Sequence, residues 1–329
     1  MPGFLKGKGV LWSFLVCAAI TLLLAVRLIQ EGYQGISLFI GLATFASYLA
    51  WYFWVGLEKS QNYLANQFEA LPHRVWLVPA IFSAIYGIYC LGTGNWEAVS
   101  WRVPVYFFAP FLVISLFPNS QQKLAWQDII IILLIWIPVD LRWIQPDWRW
   151  PPQIGGNAFT ITAAVPLIVA LMVCFRRLNG IKYEWLLSKS DIKPIVINFS
   201  LFLLFALPFG LMTNFIQWGG LKFEPSIAFT FLITFLWVAV PEELLFRGLI
   251  QNLLQKSWSK HPQLAMWTAS IIFGLAHINN DNQPIWAYVV LASVAGYLYG
   301  RTFNQCRSFV PAVIVHTLVD TVWVHFFRG

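Results

Sequence analysis

The chain has 329 residues, of which 59% are hydrophobic and only 11% charged, against about 25% charged in ordinary soluble domains. With 18 Trp and several apolar runs of helix length, a soluble globular protein is excluded and a polytopic membrane protein is expected. The net charge of +7 does not point to nucleic acid, because no basic and aromatic cluster lies outside the apolar runs.

Eleven apolar segments read as membrane helices: about 10–29, 35–56, 75–93, 103–117, 125–139, 158–175, 195–215, 226–256, 264–280, 285–302 and 309–327. The fourth and fifth are short for a span of about 20 residues, so nine to eleven transmembrane helices are expected. No stretch alternates cleanly, so strands are not expected. The fold class is an all-α, polytopic membrane bundle without internal repeats. The first apolar run, Val10–Leu28, follows Lys6 and Lys8. It is longer than the apolar core of a cleaved signal, about 7–15 residues, and reads as a retained helix. Cys17, Cys90, Cys174 and Cys306 are far apart and form no CxxC. They suit neither a zinc cluster nor a redox pair, and read as small apolar core residues.

Few polar groups interrupt the first half; Asp128, Asp140 and Arg142 are the main ones. The Trp- and Pro-rich segment Trp136–Pro152 suits a membrane interface, which places Asp140 and Arg142 at the water boundary. RRLNGIKYEWLLSKSDIK, Arg176–Lys193, is the most basic loop. Its Leu and Trp suit the anionic inner leaflet; its charge equally suits plain solvent. It divides the chain into an N-terminal transmembrane extension, 1–193, and a core, 194–329, where polar residues inside apolar runs become frequent. With the N-terminus cytoplasmic, fifteen of the 21 Lys and Arg fall inside. Arg27, Arg102, Arg142, Arg149, Lys222 and Arg328 fall outside. That bias sets the orientation of a multi-pass protein, and a bacterial plasma membrane is expected.

The eighth segment changes character. TFLITFLWVAVPEELLFRGLIQNLLQK, Thr230–Lys256, begins as a membrane run and then sets Glu242, Glu243 and Arg247 together. A charge deep in a bilayer costs several kcal/mol, so such residues are paired, face the interior or are functional. Glu243 and Arg247 stand at i and i+4 in the favourable order for an ion pair. Glu242 lies about 100° round the helix with no local partner. It reads as chemistry, and the Glu243–Arg247 pair as its support.

Two later segments add imidazoles. FGLAH, Phe273–His277, ends an apolar run, and HTLVD, His316–Asp320, lies inside the last one. With helix ends at Lys256 and Gln263, Glu242 lies 14 residues before the hairpin tip and His277 14 residues after it. At 1.5 Å per residue both stand about 21 Å from the tip, on one level. A lone His in an apolar helix is more often a satisfied core residue, and a lone Glu–Arg pair is usually structural. Two His, a free Glu and an Asp on three neighbouring helices are not covered by either explanation.

No Ser or Cys sits in a nucleophile setting such as GxSxG. Carboxylate plus imidazole suits water activation. Glu242 would take the proton, His277 would hold the water, and His316, oriented by Asp320, would donate to the oxyanion. The same Glu242, His277 and His316 could instead be zinc ligands, a His₂Glu set. The HExxH helix is absent, and the metal question stays open.

EELLFR fits EExxxR, FGLAH fits FxxxH and HTLVD fits HxxxN/D, in order and inside membrane helices. Together they resemble the CPBP family: the type II CAAX prenyl proteases with bacterial bacteriocin-processing and self-immunity (Abi) proteins. The resemblance covers roughly residues 195–329; it does not extend to the first 190 residues. It implies an intramembrane endopeptidase acting on a membrane-associated protein or peptide, of CAAX or leader type. By resemblance Glu242 is the catalytic glutamate, Glu243 and Arg247 complete its motif, and His277, His316 and Asp320 fill the other two. Asp320 stands where the family often has Asn. Family members of the CAAX type cleave from the cytosolic side, whereas the loop charges place this site in the outer half of the membrane. A non-enzymatic Abi-type immunity or interaction protein is the first alternative. A transporter is the second, but it would carry internal repeats with broken helices.

Overall fold

The computed structural model describes residues 8–94, 100–151, 155–220, 224, 226–280 and 284–327. Lys6, Lys222 and Arg328, used in the charge count, lie outside them. The described residues are helices and connecting turns, with no strand among them. Chain contacts divide the protein into two compact units. One comprises Met1–Gln121 with Ala125–Leu178, the other Gln122–Leu124 with Asn179–Gly329.

The first unit holds α1 (Lys8–Gln30), α2 (Gly35–Trp54), α3 (Glu58–Ala70), α4 (Leu77–Gly92), α5 (Arg102–Leu116), α6 (Trp126–Asp140) and α7 (Gly155–Ile168). A π-helical stretch, Val169–Phe175, prolongs α7. α7 is the central helix, buried along most of its length, and α2 packs against it, α1 and α4. Trp148 stacks on Phe159 with centroids 5.2 Å apart, inside a group that includes Tyr48, Tyr86 and Tyr89. The phenols are satisfied where they are buried: Tyr48 donates to the Phe82 carbonyl and Tyr89 to that of Trp150. Asp128 is not at a water boundary. Its carboxylate is fully buried, 2.8 Å from Arg176 Nε, and accepts from the Ala125 N–H at the start of α6. Asp140 and Arg142 are exposed at the other end of that helix.

The second unit holds α8 (Ile192–Met212), α9 (Ser226–Ser257), α10 (Pro262–Leu275), α11 (Ile285–Gln305) and α12 (Val310–Phe327). α10 lies along α11; α11 and α12 both pack on α8, and α12 on α9. α9 is one continuous helix with two π-helical stretches, Phe235–Ala239 and Leu244–Gln251. Pro241 has no N–H to return to the preceding turn, and the ladder widens just ahead of it. Lys182, counted above as a loop cation, caps α11 instead. Its Nζ donates to the carbonyls of Phe303 and Cys306 at 2.7 and 2.8 Å, where a helix end needs donors. The Phe309 N–H returns a bond to the Lys182 carbonyl, so this part of the basic loop is fastened to the bundle.

All eleven apolar segments are helical. Among the described residues, seven helices are long and apolar enough to cross a membrane. α5 and α10 are apolar but shorter. Their outer faces carry Leu, Ile, Phe and Trp in the open, as lipid contact requires. The protein is an integral, multi-pass membrane protein. All four cysteines are free and buried.

Candidate active site

The site lies wholly within the second unit. The second half of α9 carries Glu243, on the short α-helical turn Val240–Glu243, and Arg247, on the π-helical stretch after it, inward, with side chains 0% and 2% exposed. Arg247 Nε is 3.2 Å from Glu243 Oε2. Its Nη2 donates to the Gly296 carbonyl at 3.1 Å, and the guanidinium sits 4.3 Å from the Phe273 ring and 5.1 Å from the Tyr299 ring. A cation so enclosed needs a carboxylate, a carbonyl and aromatic faces to remain in an apolar bundle. Gly296 makes the approach possible: a Cβ there would stand 3.3 Å from Arg247 Nη2 and 3.1 Å from Phe273.

The other oxygen of Glu243, Oε1, is 2.8 Å from His316 Nδ1. An ionised carboxylate only accepts, so Nδ1 carries the proton and Nε2 faces the other way. Nε2 looks at two more carboxylates, Asp320 Oδ2 at 3.5 Å and Glu242 Oε2 at 3.8 Å. The Tyr299 ring stacks on the imidazole, 4.6 Å away and tilted by 17°. Asp320, expected to orient His316, shares that ring with Glu243 and Tyr299. Glu243 holds the ring from behind, Tyr299 holds its face, and Asp320 stands across the open nitrogen. Likewise Glu243 supports more than the ion pair expected of it.

His277 falls just beyond the end of α10 rather than inside it, because the helix closes at Leu275. Its Nδ1 is 2.8 Å from the Phe273 carbonyl. A carbonyl accepts only, so Nδ1–H donates, and Nε2 of the neutral ring is an acceptor.

Glu242, His277, His316 and Asp320 line one cavity of about 230 Å³. Glu242 and His277, expected on one level, are thus brought to the same cavity. Glu242 is the most open of the acids, 31% exposed, yet its Oε2 is buried with no hydrogen-bond partner among the described residues. Buried acceptors are normally paired; Glu243 Oε2 also lacks a hydrogen bond but faces Arg247 Nε at 3.2 Å, whereas Glu242 Oε2 faces the cavity. Much of the remaining wall is apolar, with Phe202, Leu207, Ile216 and Trp323 among its members. The arrangement offers a carboxylate, an acceptor nitrogen and a second, rigidly held imidazole around one space, beside a hydrophobic surface. Among the described residues, no three His, Cys, Asp or Glu side chains stand together as a group that could hold a metal ion.

Sequence reasoning missed Tyr299, Gly296 and Gln251. Gln251 follows Arg247 by four residues on α9 and donates to the Gly300 carbonyl at 3.2 Å. The signal was present: a Gly296–Gly300 pair four apart on α11 marks a close helix approach, facing Glu243, Arg247 and Gln251 at spacings of four.

The family model described as type II CAAX prenyl endopeptidase, Rce1-like, matches residues 224–322. All six candidate residues fall within the match. No curated protein and no solved structure matches the chain.

Proposed function

From the premise that residues 224–322 form an Rce1-like domain, we propose that the protein is an intramembrane endopeptidase whose nucleophile is a water activated by Glu242. The supporting observation is the unpartnered, buried Oε2 of Glu242 beside two held imidazoles in one cavity.

The proposed reaction runs through these side chains alone. A water held by His277 Nε2 gives a proton to Glu242 as its oxygen bonds to the scissile carbonyl carbon. The carbonyl oxygen becomes an oxyanion and accepts a hydrogen bond from protonated Nε2 of His316, whose ring Glu243 and Tyr299 fix. The C–N bond then breaks, and the proton on Glu242 passes to the departing amine. Arg247 touches none of the reacting atoms in this scheme. It holds Glu243 in place, with Nε 3.2 Å from Oε2. The apolar wall receives the hydrophobic part of a membrane-associated peptide, of prenylated CAAX or leader type.

The test is cleavage of fluorogenic peptides of both types by purified protein. Wild type should cut at least one, and Glu242→Gln should cut none while remaining folded. Retained cleavage in Glu242→Gln would overturn the role of Glu242. Stoichiometric zinc in active protein, with activity lost to a chelator and restored by zinc alone, would replace the scheme with a zinc mechanism.

A further inference from the structure

The second unit contains another cavity, also of about 230 Å³, which shares no lining residue with the first. It is lined by Gln263, Met266, Tyr297, Arg301, Asn304 and Gln305. Gln263 opens α10 and His277 follows the end of that helix, so the two cavities lie toward opposite ends of it, about 21 Å apart by helix rise.

The lining chemistry is one guanidinium, three carboxamides, one phenol and no carboxylate. Arg301 is held in place without being neutralised. Its Nη1 donates to Asn198 Oδ1 at 3.2 Å, and no ion pair claims it among the described residues. Asn198 is fully buried and spends its own N–H groups on the Pro194 carbonyl at 2.8 Å and Gln305 Oε1 at 3.0 Å. Tyr297 stacks on Trp267, 4.1 Å away, and its hydroxyl donates to Gln263 Oε1 at 3.4 Å. These are bonds that fix an arginine and its neighbours around a space, which is more than an exposed cation obtains.

The surroundings are mostly basic, with the buried Asp191 near Arg307 as a counter-charge. Lys189 and Lys193 at the start of α8, Lys256 and Lys260 around the α9–α10 turn, and Arg307 after α11 all belong to this end of the unit. The charge bias places that end on the cytoplasmic side, where the leaflet is anionic. Basic pockets between helices there are suited to phosphate headgroups. A guanidinium matches two phosphate oxygens at once, and the carboxamides can meet glycerol hydroxyls.

We propose that this second cavity binds the phosphate of an anionic lipid headgroup, with Arg301 as its anchor. The experiment measures the thermal midpoint of the protein in uncharged detergent, titrated with phosphatidylglycerol, phosphatidylcholine or inorganic phosphate. Phosphatidylglycerol should raise the midpoint saturably, and phosphatidylcholine should not. Arg301→Gln, which keeps an amide for Asn198, should weaken the apparent affinity by about tenfold or more. Should that variant fold poorly, Gln263→Ala leaves the Arg301–Asn198 bond intact and should weaken binding as well. An equal response to both lipids would overturn the proposal, as would a response unchanged in the variants. A shift with inorganic phosphate to which the lipid adds nothing would overturn the lipid assignment.

Discussion

The two oxygens of Glu243 have different partners, Arg247 on one and His316 on the other. Removing its charge therefore touches stability and catalysis together. Arg247→Ala should leave Glu243 buried with its cation gone, a loss of about 3–5 kcal/mol, read as less folded protein on size exclusion. Normal yield with activity abolished would mean that Arg247 works on the substrate itself. His316→Ala should keep the fold and lower turnover by about 10²–10³, the usual effect of losing one oxyanion donor. Tyr299 separates ring from hydroxyl. Tyr299→Phe keeps the face stacked on His316 and should retain most activity, whereas Tyr299→Ala should not. Equal loss in both would give the hydroxyl a part in the reaction. At this scale the sequence picked out side chains that line one cavity but not their attachments. Spacing within one helix predicts an i, i+4 partner such as Asp320, whereas the bond from Glu243 to His316 crosses between helices and leaves no local trace.

Apolar run length located eleven helices, because a bilayer demands long uninterrupted hydrophobic segments. It passed over α3, where Ser60, Leu64, Ala65 and Phe68 are buried on one face and most of the other residues are polar. Such a helix carries a period of 3.6 rather than a run. Helix ends were less legible, and His277 shows why: nothing in FGLAH marks Leu275 as the last helical residue. Close packing of α10 on α11 depends on Gly274, where a Cβ would stand 2.6 Å from the Val289 carbonyl. A backbone atom cannot turn aside as a side chain can. Gly274→Ala should force the two helices apart and lower the thermal midpoint, while Gly87→Ala, with nothing within 4 Å of the added carbon, should not. Equal midpoints would show that the α10–α11 contact is not limiting.

For the molecule as a whole, the charge count predicts that one end of the second unit is cytoplasmic and that the candidate cavity faces the other. Cysteine accessibility can check this without background, since the four native thiols are buried. In intact cells, Lys260→Cys should react with an impermeant maleimide only after permeabilisation, and Asn279→Cys should react before it. The reverse pattern would place the site toward the cytosol, the side from which the CAAX branch of the resembled family works.

The ladder from α9 to the glycine carbonyls of α11, with His316 arriving from α12, also constrains how the chain is made. As α9 enters the membrane, the Glu243–Arg247 pair can form within that helix, but Glu242 has no partner there. Each Leu, Ile, Phe or Val returns only about 0.3–0.6 kcal/mol on insertion, and a central charge costs several times that. The imidazole that answers both glutamates belongs to α12, more than sixty positions further along. Assembly of the site is thus deferred until the remaining helices of the unit have been threaded. A chain halted before α12 would leave the bilayer holding Glu242 without the imidazole of His316 beside it, which is the kind of exposed polarity that membrane quality control can recognise.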